Sequence, residues 1–475
     1  MNFRREVVRA SWTDDEAKWR ISIQEIETRE VQEEVIDLFL DFHGPVSNFQ
    51  INVEGLENFK GEVVHTANWK EGINLQDKKV ALFGYGSSGV QIAPHILPQV
   101  SKLYTWFRHR TYINPPAWPQ WAAKGGANFA YTAEQKELLR DPSIKAAYRQ
   151  QLDEFLRKRF PGNVNGSELS NRGKEAIKSF MKEKLAAKPE LFNNIVPLDF
   201  DPGCRRATFS HGYIETLVDP KTTVSFSSPK NFTPNGFIDE NGIHHSLDVV
   251  IAATGYDQSH LPRYPTLVNG IPVTDHWSSL RIPGPPCYMA VCTASLPNYF
   301  HMSSAYAHVY GSWFATSEIA AKYIVQCVEK MQIEHIKTLK VKDRAVEHFV
   351  RHANSFLQRM AQSGPCASWY KTEYGRPATW PGSWECYEKA LAVPRWEDFE
   401  IGYEDEGDLF SFLGNGFTER DGEVVVAVME DILGKQGEGR PEGEVSRGVL
   451  EKVKGVYSVA SLAPNLEQQQ QQAHL

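Results

Sequence analysis

A short apolar run, Val80-Ala81-Leu82-Phe83, breaks into Gly84-Tyr85-Gly86-Ser87-Ser88-Gly89 and then into the helical spacing of Val90, Ala93 and Ile96. Glycines at G-x-G-x-x-G spacing between a strand and a helix leave few folds open. The first allows a tight turn, the second lets the backbone approach a diphosphate, and the third lets helix and strand pack closely. The phosphates then rest on the N–H groups of the helix N-terminus. Gly84, Gly86, Ser87, Ser88 and Gly89 are therefore the candidate cradle of a dinucleotide.

The next strand, KLYTWF, identifies which dinucleotide is expected. An NAD site places Asp or Glu about 20 residues beyond the glycines, where it accepts from the ribose hydroxyl. Here the strand runs into Phe107-Arg108-His109-Arg110, with no acid nearby. Arginine offers a planar fork of donors to a 2′-phosphate, so Arg108 is the candidate partner and NADPH is favoured over NADH.

At 475 residues the chain exceeds what one hydrophobic core supports, and two or three domains are expected. With 41% apolar and 23% charged residues and a net charge of −8, small-molecule chemistry is favoured over nucleic acid or an anionic membrane. None of the six cysteines forms a C-x-x-C pair, so neither a zinc site nor a disulfide framework is expected, and a reducing cytosol suits the chain. The N-terminus shows no signal-peptide run, and no window reaches roughly 18 uninterrupted apolar residues, so no membrane span is expected.

Strands are read in EVVRASW, KWRISIQEI and VIDLFLDF, then in TTVSFSS and LDVVIAATG, with a turn at Pro234-Asn235-Gly236. Helical spacing spans residues 133–160 and about 173–187, and again 312–330 and 342–360. The first two stretches read as a helical insert. Beyond Gly416 the composition turns to GKQGEGRPEGE and five consecutive glutamines, so 417–475 reads as a disordered tail.

Ahead of the glycine turn, Phe59, Gly61, His65 and Trp69 stand at F-x-G-x-x-x-H-x-x-x-W spacing. Joined to GYGSSGVQIAP, this pattern resembles the flavin-dependent Baeyer-Villiger monooxygenases. The stretches PGCRRATFSHGYIETL, DVVIAATGYD, SLPNYF, ASWYKTEYGRPATWPGS and PRWEDFE match in kind and are similar to the fungal members. The resemblance spans most of Phe3 to Gly416.

It implies an α/β fold with two Rossmann-like dinucleotide-binding domains and a helical insert, using FAD and NADPH. On that reading 1–58 is a remnant of the FAD domain and 59–256 the NADPH domain, with its insert at about 130–190. The segment 257–416 completes the FAD domain. The family's earlier glycine fingerprint is not found in this sequence, so the FAD domain is expected to be truncated at its N-terminus. His65 corresponds to a linker histidine, Arg206 to an active-site arginine and Trp369 to a tryptophan near the cofactor. Gly255, closing the strand that ends Ala253-Thr254, would face a dinucleotide.

The implied reaction inserts oxygen beside the carbonyl of a small-molecule ketone, polyketide-like and drawn from fungal secondary metabolism. Such a site needs a fixed cation and the exclusion of water. Lys70 departs from the Baeyer-Villiger pattern and resembles N- or S-oxygenating relatives, and SSAYAHVYGS replaces a glycine-proline run expected near flavin. An N- or S-oxygenase, or a truncated inactive homologue acting as a binding protein, are the alternatives.

Overall fold

The computed structural model describes residues 2–44, 46, 48–116, 123, 129–257, 259–302 and 305–414. Its chain enters as an antiparallel meander of β1 (Arg5–Thr13), β2 (Lys18–Glu25) and β3 (Val31–Ile36). Trp12 and Trp19 lie opposite each other in register and are both fully buried, their rings 5.7 Å apart. The other edge of β1 takes Thr266–Val268 as a parallel partner.

The run VIDLFLDF, read as one strand, is divided. β3 ends at Ile36, and β4 (Phe39–Asp41) joins a different sheet, pairing in parallel with Tyr299–His301. Asn298 explains the break. Its buried side-chain amide donates to the carbonyls of Asp37 (2.8 Å) and Lys337 (2.9 Å), and its backbone carbonyl accepts from Phe39 N–H (2.9 Å). Holding the backbone at Asp37 in this way turns the chain out of the meander.

The glycine turn follows the middle strand of a five-stranded sheet. Across it lie β5 (Glu62–His65), the strand Val249–Ala252, β6 (Lys79–Phe83), β7 (Lys102–Trp106) and β8 (Thr222–Ser225), all parallel. Parallel sheets need cover on both faces, which is why these strands read as unbroken apolar runs. On one face Val80, Leu82, Leu103 and Ile251 pack beneath helix α1 (Ser87–Ile96). On the other, Ala81, Phe83, Tyr104 and Trp106 meet Phe232 and Phe237 of a three-stranded hairpin sheet.

Phe59 also belongs to that second face, and it accounts for Gly61. A Cβ on Gly61 would lie 2.3 Å from the Phe59 ring and 2.7 Å from the Asp248 carbonyl.

The helical insert holds α2 (Ala133–Leu138), α3 (Pro142–Arg157), α4 (Glu168–Lys184) and α5 (Pro189–Ile195), after which α6 (Tyr213–Val218) returns the chain to the sheet. One helix had been read over 133–160. Asp141 interrupts it by capping Ser143 N–H (2.8 Å) ahead of Pro142, a residue that starts helices and ends those before it. Of the four insert helices, α4 and α5 send residues into the core, among them Met181 and Ile195, whereas α2 and α3 bury none.

The last helical stretches are found at Trp313–Ile333 and Asp343–Leu357, around an antiparallel pair Ile336–Val341 and Phe399–Tyr403. Met1–Glu404 forms one compact unit and Asp405–Leu475 a second. In the second, a single 3-10 turn, Ser411–Leu413, is described, and the expected tail 417–475 lies outside the described residues.

One expectation is overturned. Cys204 and Cys366 form a disulfide across 162 residues of sequence, with Cα atoms 6.2 Å apart. Short-range cysteine spacing carries no information about a pair so far apart.

Asp41 ties the small parallel sheet together. Its carboxylate accepts from the hydroxyls of Tyr264 (2.6 Å) and Tyr299 (2.7 Å) and meets His43 Nδ1 at 2.6 Å. Burial pushes this carboxyl up, but His43 and the two hydroxyls outweigh it and bring it down to about 2. A depressed folded value means stability present above the unfolded value near 4 and lost as pH falls toward 2. Asp41→Asn is expected to cost on the order of 2 kcal/mol at pH 7, and to cost progressively less below pH 4 in denaturant titrations.

Candidate functional site

The cradle is built by two close approaches. Gly84 has φ +107°, and a Cβ there would stand 2.2 Å from the Ala253 carbonyl at the end of the neighbouring strand. A Cβ on Gly89 would stand 1.9 Å from the Gly84 carbonyl. Helix α1 therefore begins hard against the turn. Gly86, its N-cap, meets nothing within 4 Å, and Ser87 and Ser88 are exposed with no acidic residue in the first turn. An open glycine facing unpaired helical N–H groups is the surface a dinucleotide diphosphate requires.

Beyond the cradle, Tyr85 organises a cationic corner. Its hydroxyl donates to the His109 carbonyl (2.9 Å) and accepts from the His109 N–H (3.1 Å), while its ring stacks on Phe107 at 4.5 Å. The Arg205 guanidinium lies over the same ring, 4.9 Å from its centre, and Arg205 Nη1 is buried with no protein partner among the described residues. Burial and then the charges of Arg108 and Arg205 hold the His109 imidazole below its usual range. Arg108 is exposed at this corner, whereas Arg110 is spent on the Val196 carbonyl (2.8 Å).

Arg205 is the residue that sequence reasoning missed. No motif in the sequence marks it, and only its stacking on the tyrosine inside the glycine turn reveals its place.

Arg206 follows Arg205 directly in the chain. It is exposed, and its charge acts on the phenol of Tyr370, which burial drives well above the usual tyrosine range. Trp369 is half-buried with its ring 4.5 Å from that of Tyr370. The Cys204–Cys366 disulfide joins the two segments, so Arg206 and Trp369 stand in one neighbourhood, next to the coenzyme corner.

His65 and Gly255 form a third group. His65 ends β5 in register with Ala252, its Nδ1 accepts from Ala67 N–H (3.0 Å), and its ring stacks on Phe49 at 4.6 Å. Gly255, at φ +88°, accepts from Gln50 N–H (3.1 Å), and burial holds the His65 imidazole low, tempered by the Gly255 backbone. Trp69 and Lys70 are exposed.

A second opening lies at the carboxyl ends of β4 and Tyr299–His301, where ligands of parallel sheets bind. Asp41, His43, Arg263 and His301 line a cavity of about 50 Å³ there. That volume admits water-sized molecules rather than a flavin ring, and no second glycine-rich cradle occurs among the described residues. Pro45, Ser47, Ser303 and Ser304, which border the opening in sequence, lie outside them. The described residues thus offer one glycine cradle for a dinucleotide diphosphate, at the Gly84 turn.

The chain matches no protein-family model. It is 31% identical over 436 residues to the FAD-binding monooxygenase tazF of Aspergillus terreus, covering 89% of this chain and 76% of that protein. A Baeyer-Villiger monooxygenase of Pseudomonas aeruginosa is 30% identical over 339 residues, covering 70% of this chain and 61% of the relative. The fold superposes on cyclohexanone monooxygenase from Rhodococcus sp. Phi1, bound to NADP+, with a TM-score of 0.70 at 22% identity, covering 84% and 80% of the two chains. The chain belongs to the family of FAD-binding monooxygenases that includes the Baeyer-Villiger enzymes. The α/β fold with Rossmann-like domains read from the sequence is the fold observed.

Two glycine substitutions separate packing from binding. Gly89→Ala forces α1 off the turn and is expected to cost about 1–3 kcal/mol of stability, the usual range for overpacking. Gly86→Ala adds a methyl where nothing stands within 4 Å, so thermal stability should hold while NADP+ affinity falls. Calorimetric melting and titration distinguish the two.

Proposed function

We propose that the chain is a flavin monooxygenase that uses NADPH and FAD to insert one oxygen atom beside a ketone carbonyl. Overall, ketone, O₂, NADPH and a proton become ester or lactone, NADP+ and water. When bound, FAD supplies the activation of oxygen.

Gly84, Gly86 and Gly89, with the N–H groups of Ser87 and Ser88, would hold the NADPH diphosphate. Arg108 and Arg205 would take its 2′-phosphate, Arg205 prealigned by its stacking on Tyr85. Arg206 would face the negative charge that develops on the substrate carbonyl, and Trp369 would help exclude water there. His65 and Gly255 would serve the hinge between the two dinucleotide domains, with boundaries at 59 and 256.

One observation carries the reading. Arg205 lies over the ring of Tyr85, inside the glycine turn, and Arg206 follows it directly, so a single short segment would serve both coenzyme and substrate. The names of the two relatives and the NADP+ bound to the structural neighbour agree with it. A bulky polyketide-like ketone of fungal secondary metabolism is the substrate class proposed, on the likeness to fungal members, and a cytoplasmic location belongs to the same proposal.

The test supplies the purified chain with FAD, NADPH, ¹⁸O₂ and bulky cyclic ketones, with an amine and a sulfide in parallel. One ¹⁸O atom in an ester or lactone supports the reading. An N-oxide or sulfoxide alone transfers it to the N- or S-oxygenases, and no NADPH consumption favours the inactive binding protein.

Two variants probe the roles. Arg108→Ala and Arg205→Ala should each weaken NADPH binding by roughly 1.5–3 kcal/mol, the range of a charge-assisted hydrogen bond, and leave NADH nearly unchanged. Arg206→Ala should lower the ester formed per NADPH oxidised, with little rescue by Arg206→Lys, whose ammonium lacks the planar fork. An unchanged ratio would make Arg206 an ordinary surface charge.

A further inference from the structure

The disulfide occupies a position that packing alone does not demand. Cys204 immediately precedes Arg205, and Cys366 stands three residues before Trp369. Both cysteines are buried, yet exposed residues stand one position away from Cys366, at Pro365 and Ala367, and two positions away from Cys204, at Arg206. Cys292 and Cys327, in contrast, sit deep in the C-terminal core, where burial holds their thiols high and inert.

Other links keep the neighbourhood folded without the bond. Asn165 N–H donates to the Arg359 carbonyl (3.0 Å) and its side chain to the Met360 carbonyl (3.0 Å). The buried Lys371 ammonium donates to the carbonyls of Gly364 and Cys366. The first two contacts tie the start of the 359–371 segment to Asn165, and the Lys371 contacts fold its far end back on itself. On the other side, Gly203, at φ +97°, and the exposed Ala207 flank the Cys204–Arg206 turn, whose only covalent hold on the C-terminal segment is the disulfide.

We propose that Cys204 and Cys366 form a thiol–disulfide switch that sets how well Arg205 is held for the 2′-phosphate of the coenzyme. The proposal rests on the dinucleotide reading of the Gly84 turn. In the oxidised state the bond fixes the residue next to Arg205, and the guanidinium stays over Tyr85. Reduction releases that residue, and Arg205 gains freedom that coenzyme binding must then take away.

The chemistry is ordinary exchange with a dithiol reductant. One thiolate of the dithiol attacks Sγ of a cysteine in the bond, the S–S bond breaks, and the other cysteine leaves as thiolate and takes a proton. The second thiolate of the dithiol then displaces the mixed disulfide. Two electrons pass from the dithiol, which departs as a disulfide, and Cys204 and Cys366 end as thiols. In a reducing compartment such exchange would run in both directions with the redox state of the dithiol pool.

The experiment uses the full chain, purified without reductant, and counts thiols in denaturant before and after dithiothreitol. Of six cysteines, four thiols are expected before and six after. Dissociation constants for NADP+ and NAD+ are then measured in both states and after reoxidation. Reduction should weaken NADP+ roughly tenfold, the loss of one charge-assisted contact, leave NAD+ within about twofold, and reverse on reoxidation. Cys204→Ser and Cys366→Ala should each resemble the reduced chain and ignore dithiothreitol.

A purely structural bond would lower the melting temperature on reduction and shift both dinucleotides together or neither, which overturns the switch while the dinucleotide reading stands. Six thiols before reduction overturn it too. Failure of NADP+ to bind in either state overturns the reading of the Gly84 turn and the switch with it.

Discussion

The contact that the rest depends on is the approach of Gly89 to the carbonyl of Gly84, where only a hydrogen fits between helix and turn. It sets the start of α1 against the end of β6, and it leaves the first helical N–H groups facing outward at Gly86. Because β6 is the middle strand, the same point lies at the carboxyl end of the sheet, between β7 and Val249–Ala252. Tyr85 belongs to the turn itself. The cationic corner of Arg108, His109 and Arg205 is therefore assembled on a residue whose position the glycines fix.

The Arg205–Arg206 segment carries this local geometry outward. A guanidinium over an aromatic face gains on the order of 0.5–2 kcal/mol and, more usefully here, a fixed orientation. An arginine held this way loses little freedom when a phosphate arrives, whereas its neighbour Arg206 is exposed. The turn at Gly203 and the Cys204–Cys366 bond stand directly before this pair of arginines.

Much of this was legible in the sequence. The cradle was legible because a parallel strand, buried on both faces, leaves an unbroken apolar run that ends in glycines. The packing of Phe59 on Gly61 supplies a physical reason for part of the F-x-G-x-x-x-H-x-x-x-W spacing. What failed was whatever depends on distant residues. The β3–β4 break is imposed by Asn298, some 260 positions away in the sequence. The insert's division at Asp141-Pro142 was a local capping signal passed over in favour of helical periodicity. The disulfide and the placement of Arg205 are tertiary facts that no short window of sequence records.

The central claim is that this corner of the molecule distinguishes a dinucleotide by its 2′-phosphate. The most direct measurement is calorimetric titration of the unaltered chain with NADP+ and with NAD+ at low and moderate salt. Two cationic contacts predict NADP+ bound at least roughly tenfold more tightly, with the preference shrinking as salt screens the exposed Arg108. Equal affinity for the two dinucleotides, or a preference for NAD+ at every salt concentration, would contradict the account.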